Sequence, residues 1–203
     1  MCIIVYKPAG VSLPDEYIID ECFFSNPDGA GFMMRTKDNK ILIRKGFMTV
    51  MSLFDALDRI RGIDDRELAI HFRYATHGSK TAGNTHPFPI TRKIAQLRSN
   101  SVVCEYALMH NGIVQGLEHK DLTLSDTMCL VKMISSSHEF ATATQEILNS
   151  GKFLIMDAYE TRMYGDFIIE DGVYYSNRSY IPYQRNYQRW EKAKAQINKD
   201  DEW

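Results

Sequence analysis

The stretch "ELAIHFRYATHG", Glu67 to Gly78, holds an apolar alternation that stops abruptly at a cation. Leu68, Ile70 and Phe72 alternate as in a half-buried strand. Arg73 follows at the strand end, and from Thr76 to Pro89 the chain is rich in Gly, Thr, Asn and Pro, the composition of a loop. On its own, an arginine at the end of a strand is a surface charge. Three other short segments give it a different weight: Cys2 in "MCIIVY" (1–6), "HNG" (His110 to Gly112) and "SDT" (Ser125 to Thr127).

Each of these also has an ordinary structural reading. Cys2 is a small hydrophobe opening a strand of β-branched residues. Asn-Gly after a strand is a common hairpin turn. Ser125 and Asp126 before "TMCLVKMI" read as the N-cap and first turn of a helix.

The rest of the chain supplies strands in two batches, with helices between and after them. Val5 to Pro14 reads as a strand running into a loop. "NPDGAGF" (Asn26 to Phe32) is a turn leading into "GFMMR", which forms a hairpin with "ILIRK" across "TKDN". "SLFDALDRI" places Leu53, Phe54, Leu57 and Ile60 at helical spacing, with Ser52 and Asp55 as a capping pair. "SVVCEYALMH" reads as one strand running into Asn111. A further helix is expected over Glu139 to Leu148. "KFLIMDA" and "MYGDFIIEDGVYYSN" then give more strands, the latter with an Asp-Gly hairpin, before a polar tail from Pro182. This order predicts an α+β domain whose sheets are covered by helices.

Composition excludes several function classes. The 203 residues carry a net charge of −2, with 44% hydrophobic and 25% charged residues. That balance gives no reason to expect a nucleic-acid or membrane partner. No apolar run approaches the ~18 residues of a membrane span, and no signal peptide is read at the start. Cys2, Cys22, Cys104 and Cys129 have no metal-type spacing, which reads as free thiols in a reducing, cytoplasmic setting, with Cys104 and Cys129 as buried spectators. His71, His77, His86 and His110 cluster near the candidate site but form no metal motif, so they are expected to serve as hydrogen-bonding scaffold, with no metal and no cofactor.

The chemistry turns on the position of the cysteine. A thiol needs a base to become a thiolate. An α-amine, with an ordinary pKa of about 7.7–8.0, is partly neutral near pH 7. Once Met1 is removed, Cys2 carries that base itself. Attack on an amide carbonyl creates an oxyanion that needs preorganised donors. Asn111 offers a side-chain NH2 and Gly112 a backbone N–H. An α-amino-acid substrate presents a carboxylate suited to a guanidinium and an ammonium suited to a carboxylate. Arg73 and Asp126 are the candidates.

With "HFRYATHG", "NTHPF", "HNG" and "SDT" in this order, the chain resembles the class II, N-terminal nucleophile (Ntn), glutamine amidotransferases. The likeness runs from Cys2 to about Tyr180, and "NPDGAGF" and "YGDFIIEDGVYYSN" are similar to compact single-domain members, some phage-encoded. It implies a four-layer αββα sandwich over 1–180, a glutaminase-type domain, with 181–203 as a polar tail or short helix. It implies Cys2 as nucleophile and its α-amine as base. Asn111 and Gly112 would form the oxyanion hole, Arg73, Thr76 and the backbone near His77 would hold the glutamine carboxylate, and Asp126 its ammonium. Tyr74 to Lys80 would be a lid, and "NPDGAGF" structural support for the site.

Two residues depart from the family pattern. Ile3 follows the nucleophile where many members have glycine, and Tyr74 stands where near relatives have Trp. The tail is also too short to form an acceptor domain. The expected function is hydrolysis of the glutamine side-chain amide to glutamate and ammonia, with a separate synthase or ligase as ammonia acceptor. Two alternatives stay open: a free-standing Ntn amidohydrolase acting on another γ-glutamyl or acyl amide, and a catalytically silent glutamine-binding module.

Overall fold

The central strands of the larger sheet, Ile3–Lys7 and Leu68–Phe72, are covered on both faces, while its edge strands, Ser101–Cys104 and Ile168–Glu170, are partly exposed. The structure, a computed structural model, describes residues 1–76, 78–114, 123–135 and 151–181. The first strand, β1 (Ile3–Lys7), is buried along its whole length. Helix α1 (Glu16–Ser25) leads to β2 (Ala30–Arg35) and β3 (Ile41–Phe47). Helix α2 (Val50–Leu57) precedes β4 (Leu68–Phe72), again buried throughout. A short helical turn at Ala82–Asn84 and β5 (Phe88–Pro89) come next, then α3 (Ile94–Arg98), β6 (Ser101–Cys104) and β7 (Ala107–Asn111). Helix α4 (Asp126–Ile134) is followed by β8 (Lys152–Met156), β9 (Thr161–Tyr164), β10 (Ile168–Glu170) and β11 (Val173–Tyr175).

Among the described residues the strands form two antiparallel sheets. One has seven strands in the order β10-β11-β1-β4-β2-β3-β6, the other four in the order β5-β7-β8-β9. Period-2 alternation sorts the side chains. Ile3, Val5, Phe32, Ile70 and Phe72 pack on one face of the larger sheet with Ile19, Cys22 and Phe23 of α1 and Leu53 and Leu57 of α2. Ile4, Tyr6, Met33 and Ala69 face the other way and meet Ala107 and Met109 of β7 and Leu154 and Met156 of β8. The smaller sheet turns Leu108, Phe153 and Ile155 toward Leu97 of α3 and Met128, Leu130 and Val131 of α4. Fully burying such a side chain stabilises by roughly 1.5–3 kcal/mol, so these three clusters carry most of the fold.

The hairpin across "TKDN" forms as expected, with Asn39 at φ 53 in its turn. The Asp-Gly hairpin forms too: Asp171 and Gly172 have φ 50 and 80, the left-handed pair that joins β10 to β11.

Four expectations need correction. "SVVCEYALMH" is not one strand. It breaks at Glu105–Tyr106 into β6, an edge strand beside β3, and β7, in the other sheet. Ser52 does not cap α2. The helix starts earlier, and Thr49 Oγ1 accepts the Ser52 N–H at 3.3 Å. Cys22 is the fully buried thiol, whereas Cys104 and Cys129 are half-buried. Helices α1 and α3 were not anticipated. The helix expected over Glu139 to Leu148 and the tail from Pro182 lie outside the described residues. Among the described residues no helix is long and apolar enough to cross a membrane.

Buried polar groups fasten the loop between β4 and β5 to the larger sheet. Lys45 Nζ, on β3, donates to Gly83 O at 3.0 Å and Leu97 O at 2.6 Å and sits 4.0 Å over the Phe88 ring. Thr85 Oγ1 accepts the Gly46 N–H at 2.8 Å. The backbone near His86 lies so close to β2 that a Cβ on Gly31 would come within 2.2 Å of His86 O, so only glycine fits there.

Candidate active site

Antiparallel pairing brings the candidate residues to one end of the molecule. β1 and β4 are neighbours with Ile3 opposite Phe72, which puts Cys2, just before β1, beside Arg73, just after β4. Asn111 ends β7 and Gly112 follows it, while Asp126 opens α4. Cys2, Arg73, Thr76, Gly112 and Asp126 line a single pocket, together with His110. Asn111 does not line it, and His77 lies outside the described residues.

The nucleophile candidate is held by backbone groups. The Tyr74 N–H donates to Cys2 Sγ at 3.3 Å, and the thiol is 3.4 Å from Tyr74 O. Asn177 Nδ2 donates to Cys2 O at 2.6 Å. Burial pushes the Cys2 thiol above its ordinary value, while the Tyr74 N–H and the Arg73 guanidinium pull the other way. A thiol in this setting stays protonated at neutral pH and needs a base. Met1 is 79% exposed.

Arg73 is almost fully buried, and its Nη1 donates to Ser79 O at 3.0 Å. The segment from Tyr74 to Lys80 therefore wraps back over its own guanidinium. Its anchor is Asp28 of "NPDGAGF". Asp28 Oδ2 accepts the Ala75 N–H at 2.8 Å, and Oδ1 pairs with Lys80 Nζ at 2.8 Å. The Asp28 N–H donates to Arg73 O at 3.0 Å. Burial acts to raise the Asp28 carboxyl, but Lys80, the Ala75 N–H and Arg73 outweigh it and hold the group below its usual value. On the far side of the segment, Asn84 Nδ2 reaches Ser79 O at 3.0 Å and Thr123 O at 2.8 Å.

Asp126 is fixed by the start of α4. Ser125 Oγ caps the helix by accepting the Met128 N–H at 3.2 Å. Asp126 Oδ2 accepts the Val114 N–H at 3.1 Å and Oδ1 the Thr127 N–H at 2.8 Å. Thr127 Oγ1 donates to the same Oδ1 at 3.4 Å and lies 3.2 Å from His110 Nδ1. Because the hydroxyl donates to the carboxylate, it accepts from His110 Nδ1–H, leaving Nε2 as the bare nitrogen. Gly112, at φ 157, is confined by that ring: a Cβ would sit 2.8 Å from His110 Nε2 and 3.2 Å from Gly151 Cα.

Beneath the pocket His71 stacks on His86 with ring centroids 4.0 Å apart, and His110 on Phe153 at 4.2 Å. His71 Nε2 donates to His110 O at 3.0 Å. Burial lowers His71 to about 3, His110 to about 4, and His86 well below its ordinary value. All three are neutral at pH 7.

The space between these groups is small. The pocket at Cys2 holds about 20 Å³, room for about one water, whereas small-molecule pockets run to roughly 300–1,000 Å³. A larger cavity of about 780 Å³ lies at the other end of β1 and β4, between Tyr6, Arg35 and Glu67, and no cysteine lines it.

Sequence reasoning kept the turn that carries Asp28 as support for the site but missed Asn84, Ser176 and Asn177. "Asn-Pro-Asp-Gly" and "Tyr-Ser-Asn" read as turn punctuation. No periodicity shows that a turn residue bonds to a segment nearly fifty or more positions away.

No family model matches the chain, and no curated protein sequence matches it. Solved structures do, and what the chain shares with them is the fold. In particular, the chain is similar to the glutamine phosphoribosylpyrophosphate (PRPP) amidotransferase from B. subtilis, in a structure complexed with ADP and GMP. The TM-score is 0.53 at 22% identity, over 86% of this chain and 41% of that one. It is also similar to a structure described as the allosteric regulatory enzyme of purine biosynthesis, with TM-score 0.51 and 23% identity, again over 86% and 41%. The chain thus spans about two fifths of the length of the proteins it matches. The likeness carries the fold, and it agrees with the class II resemblance read from the motifs.

Proposed function

We propose that this chain hydrolyses the side-chain amide of glutamine to glutamate and ammonia, with Cys2 as nucleophile. The observation that carries the reading is the convergence of Cys2, Arg73, Gly112 and Asp126, from four separate segments, on one pocket. On this reading the fold is the αββα sandwich of the Ntn hydrolases, which the three apolar clusters support.

With Met1 removed, the α-amine of Cys2 takes the thiol proton, directly or through one water. Sγ attacks the amide carbon. The oxyanion accepts from Gly112 N–H and Asn111 Nδ2. The amine passes its proton to the leaving nitrogen, the C–N bond breaks, and ammonia departs from a thioester. Water, deprotonated by the same amine, attacks the thioester and releases glutamate and the thiol. Arg73, helped by Thr76 and the backbone near His77, binds the α-carboxylate, and Asp126 the α-ammonium. No cofactor takes part, and a separate synthase or ligase accepts the ammonia.

The test is glutamine hydrolysis by the purified protein and by Cys2→Ala. The expected result is ammonia release that the substitution abolishes. Release unchanged in Cys2→Ala would sink the reading. Hydrolysis spared by Arg73→Ala and Asp126→Ala would point instead to another acyl amide.

A further inference from the structure

We propose that Ser176 is a positioning residue that aims the side-chain amide of Asn111 at the oxyanion. The inference rests on the glutaminase reading above.

Ser176 is fully buried and follows β11, whose pairing with β1 sets Val5 opposite Tyr175. Its backbone is fixed from both sides. The Ser176 N–H donates to Ile4 O at 2.9 Å, and Lys152 Nζ donates to Ser176 O at 2.6 Å. The hydroxyl is placed by this frame and accepts twice, from the Ile4 N–H at 2.8 Å and from Asn111 Nδ2 at 2.9 Å. Two donors occupy both lone pairs of Oγ.

The amide torsion of asparagine is soft and broad. A planar NH2 with one hydrogen pinned on Ser176 has its second hydrogen directed by the amide plane. On this proposal that second hydrogen serves the oxyanion, from the residue just before Gly112, which lines the pocket. The same residue bonds the strand that carries the nucleophile, and Asn177 beside it holds Cys2 O at 2.6 Å. The end of β11 therefore spaces donor and nucleophile from one frame. Misplacement by 1 Å at such a site costs up to about 10²-fold in rate.

The test uses Ser176→Ala, Ser176→Thr, Asn111→Ala and the double variant Ser176→Ala/Asn111→Ala in the full chain. Ser176→Ala is expected to lower kcat on the order of tenfold with KM for glutamine unchanged, and Ser176→Thr to recover most of it. In the Asn111→Ala background Ser176→Ala should have no further effect, because a residue acting through Asn111 has nothing left to position. Alkylation of Cys2 by iodoacetamide forms no oxyanion, so its rate should be the same in all four variants. Side-chain amide NMR gives a readout free of catalysis: the Asn111 NH2 protons should exchange faster in Ser176→Ala. Full kcat in Ser176→Ala, multiplicative losses in the double variant, or a parallel fall in alkylation would overturn the assignment. A wild type that hydrolyses glutamine while Ser176→Ala matches it removes this inference alone. A wild type with no Cys2-dependent hydrolysis removes the parent reading and the inference with it.

Discussion

At the scale of single residues, Arg73 and Gly112 are constrained in opposite ways. Arg73 is a buried cation whose electrostatic neighbours are Cys2, Asp28 and Asp126. Its Nη1 contact is a backbone carbonyl of the segment above it, which an incoming carboxylate can replace. Charge-assisted hydrogen bonds contribute about 1.5–3 kcal/mol, so Arg73→Lys, which loses the fork, should raise KM for glutamine roughly 10- to 100-fold. An unchanged KM would remove Arg73 from substrate binding. Gly112 has no room for a side chain. Gly112→Ala drives a methyl into His110 and Gly151, at an overpacking cost of about 1–3 kcal/mol. Loss of hydrolysis together with a lower denaturant midpoint is the expected outcome, read by kinetics and urea unfolding. The residues that touch substrate in this account were all legible, because each chemical role demands a particular residue type. Of their supports, only the turn "NPDGAGF" that carries Asp28 was read as one, and not which of its atoms would act. Ser176 and Asp28 are chosen for where their oxygens sit, and many residue types at a turn look alike in sequence.

At the scale of elements, strands and turns with strong local chemistry read correctly, and short or uncapped pieces did not. Asn39 and Asp171-Gly172 mark their hairpins through left-handed backbone. Helix α1 has no side-chain cap, and the two isoleucines in "EYIIDECFFS" weaken the helical signal. Helix α3 has five residues, too few to display a period. The break between β6 and β7 is invisible because "SVVC" and "ALMH" are equally apolar, and only tertiary packing sends them to different sheets. The Tyr74–Lys80 segment gives a prediction at this scale. Lys80 is largely exposed, and an exposed ion pair contributes about 0–1 kcal/mol, so Lys80→Ala should quicken Cys2 alkylation by no more than about fivefold. Asp28→Ala removes the partner of the Ala75 N–H as well as that of Lys80 and should have the larger effect. Equal, unchanged rates in both variants would mean that Asp28 does not latch the segment. The Asp28 carboxyl is depressed in the fold. Its contribution is therefore present above the ordinary value of about 3.9 and lost as pH falls through the lower folded value. The latch holds throughout the neutral range.

At the scale of the whole molecule, three neutral histidines are packed where the two sheets meet the site. Histidine in an unfolded chain titrates near 6.5, whereas His110 is lowered to about 4, His71 to about 3 and His86 well below its ordinary value. Between about pH 6.5 and about 4 the unfolded chain binds protons that the folded chain refuses. Stability therefore falls on acidification across that window, and urea midpoints should be clearly lower at pH 5 than at pH 7. A flat profile would contradict the burial of these rings. The central claim is that Cys2 becomes the chain terminus and attacks a glutamine carbonyl. It is tested most directly by incubating the protein with a glutamine-mimicking electrophile and mapping the adduct by peptide mass. The account predicts one adduct, on the thiol of a peptide that begins at Cys2. An adduct at Cys104 or Cys129, or efficient labelling of Cys2 in chains that still carry Met1, would contradict it.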